Sequence, residues 1–502
     1  MKDRKMNLFG DLLSTQSKKI RDILIAKKSD ALIFNVGMVV AFLIYFPLIL
    51  KEQIFSDEYD LLGSGNSLAE HIKKDGRPAG AMVYKIMALI VDAPQDLFIL
   101  RLTSLISAIV LLKMLSRKFQ KIENSKMHQA ILVSSIFLPT FVLYIFWGML
   151  SYFMIAVTLS FISFELWSSE ENRKRILAVI IQITVILVYP PSAFTTFALI
   201  GVLYLFSSET ISESVRNIGK WIIFTCISGV IAISIVLLDT KLNDFSLNTR
   251  VKTVQLNDLP EKVIWIFTRP FLISTRLFDI RSPSSFEALF SFTIFALVLF
   301  AGLKIRFVHA KLILVKVILF LTTILLSLAP IILSRDNQFD YRLILGPSIS
   351  MFVALGFCLI EIAKVIDSKS RLGIALLLSV FTLGVFSMHS HSSKLFLEPY
   401  EIKMKLISDS LKVCFEENRS PQSISIIGKN QVFDQRKNLG LFSMKTDLAS
   451  SWVPIPSFEW AIFENHFPEL PVRFLESDSY IPPESCSIDF AAFAESFKNR
   501  DP

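Results

Sequence analysis

The residues with the clearest chemical potential follow the first apolar run: Phe55-Ser56-Asp57-Glu58-Tyr59-Asp60. Its three acids sit against an apolar boundary, where ionised carboxylates are costly and tend to be kept for function. A carboxylate at such a boundary has its pKa raised, which suits a general base. The bland alternative is the solvated start of a loop. Arginines form the second set. Arg77 and Arg101 flank a short apolar stretch. Arg269, Arg276 and Arg281 lie among Trp265, Phe267, Phe271 and Phe278. Arg335 and Arg342 bound the stretch Arg335-Asp336-Asn337-Gln338-Phe339-Asp340-Tyr341-Arg342. A guanidinium is a planar fork that matches the oxygens of an anion. The alternatives are local pairing with Asp336 or Asp340, and, for Arg101, a snorkelling anchor.

The elements that must position these groups are membrane helices. The chain has 502 residues, of which 52% are hydrophobic and 19% charged. Apolar runs follow one another for most of its length. That excludes a soluble enzyme, a fibrous protein and a disordered chain. It also excludes a β-barrel, whose strands alternate and give weak hydropathy. The expected fold is an all-α polytopic membrane protein with about eleven spans. They fall near Ala31–Leu50, Leu97–Leu115, Gln129–Phe146, Met149–Trp167, Ile176–Tyr189, Ser192–Phe206, Trp221–Leu238, Phe286–Leu303, Leu312–Leu333, Leu343–Ala363 and Leu372–Met388. Pro190–Pro191 could instead make the fifth and sixth one broken segment. Cys226 and Cys358 fall within spans and read as small core residues.

Net charge is +8. The basic excess collects in the N-terminal segment (residues 1–30) and in short loops, so it is a topology signal and not a nucleic-acid one. Arg117, Lys118, Lys121 and Lys126 share one side with Arg173, Lys174 and Arg175, with Arg216 and Lys220, with Lys304, Arg306 and Lys311, and with Lys364, Lys369 and Arg371. That side is expected in the cytoplasm, with the N-terminus inside and the tail outside. No cleavable signal peptide is apparent, because the first apolar run starts late and is long enough to span.

Two long outside segments follow, residues 51–96 and 239–285. Pro78–Val91 is apolar but too short to cross, and is expected to lie in the interface. The tail, residues 389–502, carries about 12 basic and 16 acidic side chains, roughly −4. It opens with a helical stretch, Glu398–Glu417, and a strand-like run, Ser423–Gly428. It is long enough for a small α/β domain, in which Cys414 and Cys486 could pair if the compartment is oxidising.

Asp57-Glu58, then Asp75-Gly76-Arg77-Pro78, the interfacial helix, and Phe98-Ile99-Leu100-Arg101-Leu102-Thr103-Ser104 come in an order that resembles the GT-C superfamily of polyprenyl-phosphate-dependent glycosyltransferases. Within it, the Gly-Arg-Pro entry and chain size look most like the serotype-converting type II glucosyltransferases, which modify O-antigen. Thr103 stands where many members have Pro, and Asp-Glu stands where that family often has Asp-Asp. The motifs cover about residues 31–115; beyond them the likeness is one of topology.

The resemblance implies transfer of glucose or a related hexose from undecaprenyl phosphate to a surface polysaccharide on the periplasmic side of an inner membrane. It implies a lipid-linked donor, a glycan acceptor, and a flippase and a lipid-linked-sugar synthase as functional partners. Asp57 would be the base of an inverting displacement. Glu58 would share that role or orient the acceptor, with Tyr59 and Asp60 beside it. Arg77, Arg101, Arg269, Arg276, Arg335 and Arg342 would be the candidates for the donor phosphate. No cofactor is implied, and the sequence leaves metal dependence open. His389-Ser390-His391 reads as a linker, Trp147 as an interface anchor, and Tyr189-Pro190-Pro191-Ser192 as a helix break near the cavity. The rivals are a lipid-linked-oligosaccharide flippase or transporter, whose key charges should lie mid-helix, and an O-antigen polymerase or ligase.

Overall fold

The computed structural model describes residues 32–55, 57–62, 65–123, 125–248, 253–279, 285–307, 309–335, 341–367, 371–417, 423–427, 471–475 and 485–489. The basic segment 1–30, Ser56, Arg281, Asp336, Asp340 and most of the tail lie outside the described residues.

Helices dominate. The first, α1 (Leu32–Ile49), is long and apolar. Three short helices follow: α2 (Glu58–Leu62), α3 (Asn66–Lys74) and α4 (Pro78–Ala88). Then come α5 (Leu97–Ile122), α6 (Lys126–Ser134), α7 (Pro139–Phe146), α8 (Ser151–Trp167), α9 (Asn172–Val188), α10 (Pro190–Phe206) and α11 (Ile211–Leu242). Two short pieces, α12 (Leu259–Ile266) and α13 (Leu272–Ser274), precede α14 (Ser285–Arg306), α15 (Ala310–Ser327), α16 (Ala329–Leu333), α17 (Leu345–Ile366), α18 (Arg371–Ser392) and α19 (Glu398–Glu417). Among the described residues, 8 helices are long and apolar enough to cross a membrane, or 9 with one bent pair. The protein is an all-α polytopic membrane protein.

Each of the eleven expected runs is mainly helical, but three differ from a simple span. The run expected as Gln129–Phe146 is broken: α6 and α7 meet at 51°. Pro139 has no N–H to donate, and its ring drives Leu138 to an extended conformation (φ −62°, ψ 145°). The other difference is length. Helices α9 and α10 have 17 residues each, about 25 Å at ~1.5 Å per residue, less than the ~30 Å of a hydrocarbon core. They are two legs and not one broken segment, because both run along α8. Ser163 Oγ donates to the Ala178 carbonyl (2.8 Å), and Ser192 Oγ donates to the Phe153 carbonyl (3.2 Å). Pro190 opens α10 at its first position, where a missing N–H costs nothing.

Small residues bring the inner helices together. A Cβ on Gly302 of α14 would lie 2.3 Å from Cys358 Cβ of α17, so only glycine fits there. Cys358 is therefore a packing residue, whereas Cys226 is exposed on α11.

The acidic loop, α2–α4 and the Trp147–Gly148 turn lie at one end of the bundle, the acidic-loop face. Helix α4 has 11 residues, about 16 Å long and too short to cross. It buries Ala81 and Tyr84 and exposes Met82 and Ile86, as well as Leu89 just past its end, as an interfacial helix does. The second long segment folds onto the first. Asn248 donates its side-chain amide to Asp75 (2.8 Å) and its backbone N–H to the Lys74 carbonyl (2.9 Å). At this face too, Phe396, just after α18, meets Phe55 with ring centroids 5.3 Å apart, so the tail leaves from here. Helix α19 packs against a parallel sheet of β1 (Ser423–Ile427), β2 (Val472–Leu475) and β3 (Ser485–Asp489), ordered β2-β1-β3. A disulfide joins Cys414 of α19 to Cys486 of β3 across a Cα–Cα distance of 5.8 Å, an ordinary spacing for such a bond.

Candidate functional site

The acidic run divides as it leaves α1. Glu58 turns inward and is fully buried. Its carboxylate accepts the Phe55 backbone N–H (2.8 Å) and the Gly148 N–H, and faces Arg101 Nη2 at 3.3 Å. Arg101 is 1% exposed. Its Nε donates to the Phe146 carbonyl (3.2 Å), Nη1 to Lys51 (3.2 Å) and Nη2 to Gln53 (2.6 Å). The pair thus ties the acidic loop, α5 and the α7–α8 turn into one unit. A buried ion pair is tolerable only when hydrogen bonds satisfy the remaining donors, and here they do. This geometry gives Glu58 and Arg101 a positioning role instead of contact with a donor phosphate or acceptor. Tyr59, also buried, points into the same core.

Asp57 and Asp60 stay nearer the surface. The Tyr84 hydroxyl donates to the Asp57 carbonyl (2.9 Å), so α4 holds the backbone of the acidic loop directly. Asp60 accepts the Leu68 N–H (3.2 Å). Burial raises its carboxyl above the usual range, against the opposing hydrogen bonds of Leu68 and Tyr84. Burial likewise raises the Tyr84 phenol, and the charges of Asp60 and Asp57 add to that.

The arginines separate into three groups. Arg77 and Arg342 join the site. Arg77 pairs with Asp75 and lies over the Tyr189 ring, 5.8 Å from its centroid. Arg342 lies over the Trp147 ring at 5.4 Å, and its backbone carbonyl is held by the Tyr144 hydroxyl (2.8 Å). Arg276 is beside them but committed to Asp279, whose carbonyl also accepts the Tyr341 hydroxyl (3.4 Å). Arg269 and Arg335 are exposed and stand apart.

What joins Asp57 to the two arginines is Tyr152, in the first turn of α8. Arg77, Arg342, Tyr189 and Asp57 all act electrostatically on its hydroxyl. That hydroxyl is buried and makes no hydrogen bond among the described residues; the Trp147 indole N–H is in the same condition. Tyr189 is fixed by stacking on Phe153, with centroids 3.7 Å apart, and Trp147 by the edge of Phe55 at 5.1 Å. The break at Pro139 re-aims α7 so that Tyr144 and Trp147 reach this place. Two guanidinium groups and the Asp57 carboxylate thus share the electrostatic neighbourhood of one buried phenol, and Arg342 lies over the ring whose indole N–H has no hydrogen bond among the described residues. An anion is favoured there, with a base at its edge. Sequence reasoning missed Tyr152 and Tyr84, and took Trp147 for an interface anchor. The available signal was three aromatic residues with polar tips at span ends, Trp147, Tyr152 and Tyr189.

No family profile and no curated protein sequence matches the chain.

Proposed function

We propose that the protein is a membrane glycosyltransferase of GT-C type. It moves glucose or a related hexose from a polyprenyl phosphate to O-antigen or another surface polysaccharide. Asp57 takes the acceptor hydroxyl proton as the new bond to the anomeric carbon forms. The bond from that carbon to the phosphate oxygen breaks, and the polyprenyl phosphate leaves onto Arg77 and Arg342, with Tyr152 donating a hydrogen bond. What supports this reading is the buried Tyr152 hydroxyl without a hydrogen bond among the described residues, in a region where Arg77 lies over Tyr189, Arg342 lies over Trp147 and Tyr84 holds the Asp57 carbonyl.

The site faces the periplasm in this reading. The tail leaves the bundle at the same face as the acidic loop and holds a disulfide, which suits an oxidising compartment. The Arg117–Lys126 region lies at the opposite end, as the positive-inside rule asks of the cytoplasmic side. A carrier is less well supported, since charges within the spans are committed to structure. Arg101 serves Glu58 and three carbonyls, and Lys316 serves the Tyr204 and Ser207 carbonyls (2.9 and 2.8 Å).

The test is to incubate the purified chain in detergent with synthetic polyprenyl-phosphate glucose and a panel of surface glycans. Release of polyprenyl phosphate that depends on the glycan is expected. Absence of release with every glycan tried would contradict the reading.

A further inference from the structure

At the far face of the bundle, residues from three elements meet around one imidazole. His128, in the first turn of α6, is 1% exposed. Its Nδ1 lies 3.4 Å from Glu123 Oε1, just after α5, and its Nε2 lies 3.6 Å from Glu361 Oε1 on α17. Neither ring nitrogen makes a hydrogen bond among the described residues. Phe357 packs on the ring, with centroids 4.0 Å apart, and closes that side. One donor atom from each of Glu123, His128 and Glu361 lies within 4.8 Å of the other two.

Two cations already touch this group. Lys364 Nζ bridges the two carboxylates, 3.3 Å from Glu123 Oε1 and 2.8 Å from Glu361 Oε1. Arg306 holds the other oxygen of Glu123, Oε2. Ion pairing accounts for the carboxylates. It leaves a buried imidazole whose nitrogens lie 3.4 and 3.6 Å from those carboxylates with no hydrogen bond to either, and a buried polar atom without one costs about 1–3 kcal/mol.

We propose that Glu123, His128 and Glu361 form a binding site for a divalent transition-metal ion of the zinc type. The ion takes Glu123 Oε1, one nitrogen of His128 and Glu361 Oε1, with water completing the shell. The mixed nitrogen and oxygen donors suit zinc; calcium and magnesium want oxygen alone and more of it. The Lys364 ammonium marks where a cation is favoured. Its side chain is 38% exposed, so it can swing to solvent when the metal enters. Arg306 stays on Oε2 and leaves Oε1 of Glu123 for the ion. The bound ion clamps the α5–α6 turn to α17 at the end of the molecule opposite the acidic loop.

The test uses the full chain, purified in detergent, stripped with a chelator and titrated with zinc. Metal content and the thermal unfolding midpoint are read together. The expected result is one zinc per chain with a rising midpoint. His128→Gln should weaken binding by at least tenfold. Lys364→Gln should tighten it, because the competing ammonium is gone; a purely structural ion-pair cluster would not show that gain. Sub-stoichiometric zinc in the wild type would overturn the proposal, as would binding indifferent to His128→Gln. If His128→Gln does not fold, Lys364→Gln decides alone: tighter binding supports the site, unchanged or weaker binding removes it.

Discussion

Both ends of the bundle hold ion pairs, but they place their remaining charge differently. At the far face, Glu123, Glu361, Arg306 and Lys364 meet one another directly. Arg306 and Lys316 also donate to carbonyls at the end of α10, Phe206 and Tyr204, and to Ser207 just after it, where a helix dipole welcomes cations. At the acidic-loop face, Glu58 pairs with Arg101 and Asp75 with Arg77, but Arg77 and Arg342 also lie over aromatic rings and act with Asp57 on a phenol. The titration behaviour follows. Burial would raise Glu123, but His128, Arg306 and Lys364 outweigh it and hold its carboxyl below the usual range. Burial wins at Asp60 and holds it above. Ion pairs at the far face, and Glu58–Arg101 at the acidic-loop face, fix helices to one another. In the proposed function, the charge set among rings beside the Tyr152 hydroxyl meets the substrate's own charge.

The largest expected effect tests where rigidity reaches the acidic-loop face. Glu58→Ala leaves Arg101 buried and unpaired, and should cost about 3–5 kcal/mol of stability. Thermal unfolding in detergent measures it, and a midpoint equal to wild type would break the positioning role. Next comes Arg342→Ala. Transfer should fall about a hundredfold, the scale of losing one preorganised donor, with the unfolding midpoint unchanged. Arg342→Lys should restore only part of the activity, since it keeps the charge and loses the fork. A loss of folded protein instead would move Arg342 to the rigid class.

How much of this was legible in the sequence depended on the kind of residue. Apolar runs located the long helices, because crossing hydrocarbon demands length and hydropathy that composition displays; of the eleven expected spans, 8 or 9 are long and apolar enough to cross among the described residues. Pro139 was visible, yet its 51° bend was not foreseen, because a proline inside an apolar run can also be absorbed by its neighbours. Asp57, Arg77 and Arg342 stood out as charges at apolar boundaries. Glu58 and Arg101 stood out equally and do something else, since sequence does not say which of two adjacent acids turns inward. Tyr152 was silent: a tyrosine in an apolar run is core by default, and only the fold brings Arg77, Arg342 and Asp57 into its electrostatic neighbourhood.

Two smaller effects sharpen the contrast. Tyr152→Phe should cost about tenfold in transfer while leaving stability equal or higher, because burying an unsatisfied hydroxyl costs about 1–3 kcal/mol. A matched loss of stability would place Tyr152 in the packing and not in the site. Asp60→Asn should act least and through pH. The folded carboxyl binds its proton more tightly than the unfolded one, so ionisation destabilises the fold as pH rises through the folded value. The Asn variant should therefore be the more stable at neutral pH, with the gap closing below the unfolded pKa. Unfolding midpoints across an acid-to-neutral series would show the opposite slope if Asp60 instead behaves like Glu123.

The most direct test is mass spectrometry of surface polysaccharide from cells expressing the wild type, Asp57→Asn or no copy, at matched membrane levels and with polyprenyl-phosphate sugar supplied. One hexose added per repeat by the wild type, and none by Asp57→Asn, is the expected result. A wild type that adds nothing in a host supplying donor and acceptor, or an Asp57→Asn variant that adds as much as wild type, would contradict transfer by this site.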